Sequence, residues 1–251
     1  MDILIYGIGG KMGRNVYNAV KNYEGANALL GIDKFANPND FDIPVFKSLN
    51  DVNIDKKPDC IIDFSVKEAI YDIIPYAVKN NVPVVLCTTG YGAEEMALIR
   101  DASTKIAVFR SGNMSLGVNT LIKLVKNAAT LLGQASDVEI IEMHHNQKVD
   151  APSGTAIMLA DAVKSVISDL TNVNGRNGIV GKRDKKEIGI HAVRGGSIVG
   201  KHEVMFIMDN EIVTLKHEAE SKTVFANGAV RAAMFMKDKP AGIYDMQDVL
   251  F

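Results

Sequence analysis

Across residues 1–113, short unbroken apolar runs alternate with stretches whose apolar residues recur every three or four positions. The runs are Ile3–Tyr6, Leu29–Ile32, Cys60–Phe64, Val84–Cys87 and Ile106–Phe109. They show no polar alternation, which predicts strands buried on both faces, as in a parallel sheet. Between them, Met12, Val16, Ala19, Val20 and Tyr23 fall at helical spacing, as do Ile70, Ile73, Ile74, Ala77 and Val78. Pro75 lies inside the second of these stretches and is expected to kink it. Residues 94–103 form a third helix candidate. Strand, helix, strand in repetition predicts right-handed crossovers and a Rossmann-type, doubly wound parallel sheet.

The pattern changes after Asn113. A long helix is expected over Leu116–Leu132, with Val118, Leu121, Ile122, Leu124 and Val125 on its apolar face, followed by a strand at Val138–Met143. A helix over Thr155–Leu170 has Ser153 as its N-cap. Partly alternating strands at Ile188–Val193, Ile198–Met208 and Glu211–His217, joined by short turns such as Asp209-Asn210, predict mixed or antiparallel pairing. This is an α+β domain with a mixed sheet, inserted before a last helix, Ala226–Lys237, that returns to the first domain. The segment from Asn172 to Lys186, rich in Gly, Asn and charge, is expected to be a mobile loop.

Composition narrows the classes. Lys and Arg number 28 against 30 Asp and Glu, a net charge of −2, which gives no reason to expect nucleic acid or an anionic membrane as a partner. The longest apolar runs fall far short of the ~20 residues that cross a bilayer. No basic stretch followed by a long apolar one opens the chain, so a cytoplasmic protein is expected. The two cysteines, Cys60 and Cys87, sit in apolar runs and are expected to be buried free thiols.

Two constellations carry chemistry. Gly7-Ile8-Gly9-Gly10-Lys11-Met12-Gly13 follows a strand and opens a helix, the setting in which glycines let a backbone approach a diphosphate at a helix N-terminus. The third glycine falls one place late for G-x-G-x-x-G. Asp33, 20 residues beyond Gly13 at the end of the second strand, is placed to accept hydrogen bonds from a ribose. It repels a 2′-phosphate while Lys34 offsets part of that repulsion, so NADH or NADPH is the expected cofactor, with NADH preferred. Two later strand ends, Cys87-Thr88-Thr89-Gly90 and Ser111-Gly112-Asn113-Met114, are candidates for the ribose and nicotinamide; ordinary turn chemistry explains each equally well.

The second constellation runs Glu142-Met143-His144-His145-Asn146-Gln147-Lys148-Val149-Asp150-Ala151-Pro152-Ser153-Gly154-Thr155. Two histidines able to donate or take a proton near neutral pH and one lysine end a strand. Ser153, Gly154 and Thr155 then open a helix whose N–H groups suit a carboxylate, with Lys148 adding charge. Each residue alone has a plainer explanation; their density does not. Two adjacent histidines without clustered Cys or carboxylates do not make a zinc site, so no metal is expected. His202 and His217 are read as structural, and His191 is left undecided.

The block E-x-H-H-x-x-K-V-D-A-P-S-G-T-A, Glu142 to Ala156, resembles the signature of the dihydrodipicolinate reductase (4-hydroxy-tetrahydrodipicolinate reductase) family. The resemblance extends through G-x-G-G-K-M-G-R from Gly7, I-D-F-S from Ile62, T-T-G from Thr88, N-M-S-L-G-V-N from Asn113, V-R-G-G from Val193 and F-A-N-G-A-V-R-A-A from Phe225. It implies an NAD(P)H-dependent reduction of 4-hydroxy-tetrahydrodipicolinate in lysine and diaminopimelate synthesis. It implies His144 as acid/base and Lys148 as proton donor, with His145, Ser153, Gly154 and Thr155 binding a cyclic imine dicarboxylate. It implies cofactor contacts from Gly7, Ile8, Gly9, Gly10, Lys11, Met12, Asp33, Cys87, Thr88, Thr89, Gly90, Ser111, Gly112, Asn113 and Met114. It also implies a dinucleotide-binding domain from 1–113 and 228–251, a substrate and oligomerisation domain at 114–227, and a homotetramer. Asn146 and Gln147 depart from the family's usual H-H-R-H-K and lower the positive charge there. Two rivals stay open: another two-domain amino-acid dehydrogenase, acting on aspartate or diaminopimelate, and a non-catalytic dinucleotide sensor that binds a protein partner.

Overall fold

In the computed structural model, which describes residues 1–250, all five N-terminal apolar runs form strands. The elements there are β1 (Asp2–Tyr6), α1 (Lys11–Lys21), β2 (Asn27–Ile32), β3 (Val45–Phe46), β4 (Cys60–Asp63), α2 (Ile70–Asn80), β5 (Val84–Leu86), α3 (Ala93–Ser103) and β6 (Ala107–Arg110). Then come α4 (Leu116–Leu132), β7 (Asp137–His144), α5 (Gly154–Lys164), β8 (Thr171–Asn174), β9 (Glu187–Arg194), β10 (Gly200–Ile207) and β11 (Ile212–Ala219). The chain closes with α6 (Thr223–Phe235), β12 (Gly242–Tyr244) and α7 (Met246–Leu250). It folds as two units, Met1–Leu116 rejoined by the chain from Lys222, and Gly117–Ser221.

Seven parallel strands form the first sheet, in the order β12-β6-β5-β4-β1-β2-β3. Both faces are covered, which is why its strands read as unbroken apolar runs. Ile3, Ile5, Ile62, Val85 and Phe109 pack with α1 and α6; Leu4, Leu30, Ile61, Val84 and Val108 pack with α2 and α3. Helix α2 continues through Pro75. In α6 a Cβ at Gly228 would lie 1.8 Å from the Met114 carbonyl oxygen, so only glycine lets this helix seat. Cys60 and Cys87 are buried free thiols.

The second sheet is mixed, in the order β11-β10-β7-β9-β8. Strand β10 runs antiparallel to β7 and β11, while β9 runs parallel to β7 and β8. One face carries Val138, Ile140, Ile188, Ile190, Val204 and Phe206 onto α4 and α5.

Two expectations need correction. Helix α5 stops at Lys164, not Leu170, because Ser165 turns its hydroxyl onto the Ala162 carbonyl and Asp169 takes a left-handed φ of 65°. The expected mobile loop begins as strand β8, and its arginines are anchored. Arg176 bonds both Glu139 oxygens (3.0 and 2.9 Å), and Arg183 Nε donates to Oε1 at 2.9 Å. His191 Nε2 meets the same carboxylate at 2.7 Å. Burial works against charge on Glu139, yet these partners hold its pKa down at about 2. Among the described residues no helix is long and apolar enough to cross a membrane.

Candidate active site

All strands of the first sheet are parallel, so the ends of β1, β2, β4, β5 and β6 share one edge. The order changes direction between β1 and β4, which opens a crevice there. Gly7 takes φ +82°, and a Cβ on it would lie 2.7 Å from the Phe64 carbonyl oxygen. The late third glycine has its own reason: a Cβ on Gly13 would lie 1.9 Å from the Gly7 carbonyl oxygen, so Gly13 lets α1 press onto the loop. Gly10 caps α1 without a side chain, and no acidic residue sits in the first turn. The positive end of this helix is left open toward an anion. A diphosphate fits this cradle.

Asp33 Oδ2 accepts from the Gly9 N–H at 3.0 Å, while Oδ1 accepts from Phe35 and Ala36 at 2.9 and 3.1 Å. The carboxylate therefore ties the second strand to the glycine loop and keeps acceptor capacity for a ribose. A cavity of about 400 Å³ is lined here by Gly7, Gly10, Asp33, Lys34, Lys47 and Phe64, among others. Phe35, 94% exposed, and Val66 flank it. Sequence reasoning missed Phe35, Lys47, Phe64 and Val66. The apolar residue two past Asp33 was the available signal; Lys47 arrives only through the pairing of β3 with β2.

At the ends of β1, β5 and β6 the predicted residues sort by burial. Ile8, Cys87 and Met114 point into the core, leaving only their backbone to a cofactor. Thr88 Oγ1 accepts from the Ser65 N–H at 3.2 Å, and Gly90 takes φ +83°. Ser111 Oγ donates to the Asn113 carbonyl at 2.8 Å. Beneath them lies Asp63, fully buried, bonded to the Ser65 hydroxyl and, at 3.3 Å, to the Tyr91 hydroxyl; burial pushes its pKa up.

In the second unit His144 ends β7, and Glu142, two residues earlier, shares its face. His144 Nδ1 lies 2.6 Å from Glu142 Oε2. Arg194, paired with His144 in the β7–β9 ladder, donates to both Glu142 oxygens at 2.8 and 2.7 Å. The Ser153 N–H donates to Oε1 at 3.0 Å. One fully buried carboxylate thus binds a candidate acid to the N-terminus of α5. Burial pushes Glu142 up, but Arg194, His144 and Ser153 together hold it below the usual carboxylate range. Burial lowers His144; Glu142 opposes that, while Lys148 and Arg194 reinforce it.

Lys148 Nζ grips both Asp150 oxygens at 2.7 and 2.9 Å. The Ser153 hydroxyl accepts from the Ala156 N–H at 3.2 Å and meets His202 Nε2 at 3.1 Å. Ser153 is itself buried, so it serves the site as the cap predicted for it, with Gly154 exposed beside it. The turn bearing His145 is tied down by the Asn146 N–H onto the Gly196 carbonyl and by Gly195 onto that of His144. Gly200 leaves room for the His144 ring: its Cβ would lie 3.2 Å from Nε2. His202, read from the sequence as merely structural, stacks edge-on with His144 at 5.2 Å and belongs to the site. Glu142, Arg194 and His202 are the residues whose roles sequence reasoning missed. Period-two spacing was a usable signal for Glu142; the other two need the strand register. Among the described residues no group of three or more His, Cys, Asp or Glu is arranged to hold a metal.

The family model for the N-terminus of dihydrodipicolinate reductase matches residues 1–114, and that for its C-terminus matches residues 117–250. The chain belongs to the dihydrodipicolinate reductase family. Family membership makes it an NAD(P)H-dependent oxidoreductase, which sets aside the sensor and the amino-acid dehydrogenase. It is similar to the 4-hydroxy-tetrahydrodipicolinate reductases of Clostridium novyi (strain NT), 46% identical over 99% of this chain and 97% of that one, and of Caldanaerobacter subterraneus subsp. tengcongensis, 45% identical over the same shares. Its fold is similar to a dipicolinate-bound dihydrodipicolinate reductase from Paenisporosarcina sp. TG-14, with TM-score 0.80 and 24% identity over 98% of this chain and 97% of that one. An aspartate dehydrogenase from Thermotoga maritima shares the fold more distantly, with TM-score 0.52 and 12% identity over 95% and 97% of the two chains.

Proposed function

We propose that this chain carries out the reaction for which its relatives are named, reducing 4-hydroxy-tetrahydrodipicolinate with NAD(P)H in lysine and diaminopimelate synthesis. The observation that carries the residue assignment is the buried Glu142, which bonds His144, Arg194 and the Ser153 N–H at once. In this reading the first unit binds the dinucleotide and the second binds the dicarboxylate. Gly7 to Met12 cradle the diphosphate, Asp33 takes the adenosine ribose, and the turns Cys87–Gly90 and Ser111–Met114 take the nicotinamide half. The nicotinamide, when bound, supplies a hydride.

The second unit does the rest. The first-turn N–H groups of α5, from Gly154 and Thr155, receive one substrate carboxylate, with Lys148 and His145 completing its binding. Glu142 accepts from His144 Nδ1 and so aims Nε2 outward as the proton-transferring atom. His144 and Lys148 deliver the proton that balances the hydride and stabilise the negative charge that develops. His144→Ala and Lys148→Ala should each lower kcat by about two to four orders of magnitude while leaving KM for NADH within a few-fold. Unchanged kcat in both removes the assignment.

Asp33 supports NADH as the preferred cofactor, with Lys34 and Lys47 at the same cavity permitting NADPH. A homotetramer in the cytoplasm completes the reading. The assembly rests on the family resemblance. A monomer by light scattering would contradict it.

A further inference from the structure

We propose that binding of the dicarboxylate draws one proton from solvent onto Nε2 of His144, so that the acid of the reaction is loaded only when substrate is present. The proposal rests on the reading of the second unit as the dicarboxylate site. From β7 the group facing His144 is Glu142, and from β9 it is Arg194, which grips Glu142 through two nitrogens at 2.7 and 2.8 Å. From the turn after β7 come Lys148 and Asp150, closed on each other by two bonds. From α5 comes Ser153, which is neutral; from β10 comes His202, with His217 of β11 directly opposite it in the ladder. Each cation in the cluster is already matched by an anion. With His144 and His202 neutral, the cluster carries no net charge.

Burial favours that neutral state, lowering both imidazoles, His202 down to about 4. Two carboxylates entering such a cluster bring two negative charges, and the cation placed to meet one of them, Lys148, is already neutralised by Asp150. An opposite charge within a few ångströms raises the pKa of an imidazole by about one to three units, and the ring is 12% exposed, so screening by water is limited. On the His144 ring that proton has one place to go. Nδ1 is committed to Glu142 at 2.6 Å in either charge state, which leaves Nε2, over Gly200. The bond to Glu142 need not break on loading.

The atoms balance. The 4-hydroxyl leaves as water, and reduction of the conjugated imine that results consumes one hydride from NAD(P)H and one proton. The proton taken from water at binding is the one Nε2 gives up, and that transfer returns His144 to the neutral ring. The histidine therefore holds no acidic proton to lose while the site is empty.

Isothermal titration of the full-length protein with pyridine-2,6-dicarboxylate, a rigid and unreactive dicarboxylate, tests this at pH 7.5 in buffers of different ionisation enthalpy. The slope of observed heat against buffer enthalpy should give a net proton uptake of up to one. Kd should weaken as pH rises, by at most about tenfold per pH unit. His144→Gln, checked for an unchanged melting temperature, should still bind but with a slope near zero; His145→Gln should keep the wild-type slope. A wild-type slope near zero, or an undiminished slope in His144→Gln, overturns the inference and leaves the function standing. Should that variant fail to fold, the His144 15N shifts in the wild-type complex decide between a charged and a neutral ring. Absence of any binding, together with absence of turnover, removes the reading of the site and the inference with it.

Discussion

Glu142 carries four hydrogen bonds on two oxygens and meets no water. A buried carboxylate is tolerable only when paired and fully bonded, and its removal leaves Arg194 without its charge partner. Glu142→Gln keeps the shape but loses the charge that orients His144 Nδ1–H. It is expected to lower kcat on the order of tenfold to a hundredfold, as loss of an orienting partner does elsewhere. Stability should fall by about 3 kcal/mol or more in urea titration because Arg194 is left unmatched. A variant with wild-type kcat would show that His144 needs no orientation. Asp33 makes a second residue-level case. Asp33→Asn keeps the acceptor for the Gly9 N–H while removing the negative charge. The ratio of kcat/KM for NADPH to that for NADH should rise by about tenfold, roughly 1.4 kcal/mol; a constant ratio would mean that this carboxylate does not choose the cofactor. Both residues could be seen in the sequence, but unequally. Asp33 stood at a spacing with known meaning, whereas Glu142 sat inside the signature with only His144 in reach of period-two spacing, its other partners lying 11 and 52 residues away.

At the scale of elements, what was legible followed from burial. Strands covered on both faces read as unbroken runs, and α4 was marked over its full length by its apolar face. Short or polar pieces carried no such mark: β3 spans two residues, β12 three, and β8 reads Thr-Asn-Val-Asn. The segment after β8 is the loop its composition indicates, but composition shows charge without its partners: here Glu139 collects Arg176, Arg183 and His191. The neighbours of His202 were hidden for a related reason: alternation places it on β10, but only the register sets it beside Ser153 and His144. Its burial has a consequence for the sheet. The folded chain keeps His202 neutral down to about pH 4, whereas the unfolded chain takes up a proton below about 6.5. Stability should therefore be lost as pH falls from about 6.5 toward 4, with the unfolded state binding the extra proton. Urea midpoints at pH 7 and pH 5 should differ in the wild type and differ less in His202→Gln. Equal differences in both would place the pH dependence elsewhere.

For the whole molecule, the two constellations seen along the chain fall in two separate units, the glycine loop and Asp33 in one and the His144 to Thr155 block in the other. Neither half alone names a reaction. A glycine loop with a ribose carboxylate serves many reductases, and a His–Glu–Arg cluster at a helix N-terminus only describes a site for an acidic ligand with a proton to be moved. Together, in a member of the dihydrodipicolinate reductase family, they specify a hydride donor and a dicarboxylate imine. The most direct measurement feeds the purified protein the condensation product of pyruvate and aspartate semialdehyde, generated in place, and follows NADH absorbance. The account predicts NADH oxidation that depends on both condensation partners and collapses in His144→Ala. No oxidation of NADH or NADPH with that substrate would contradict it.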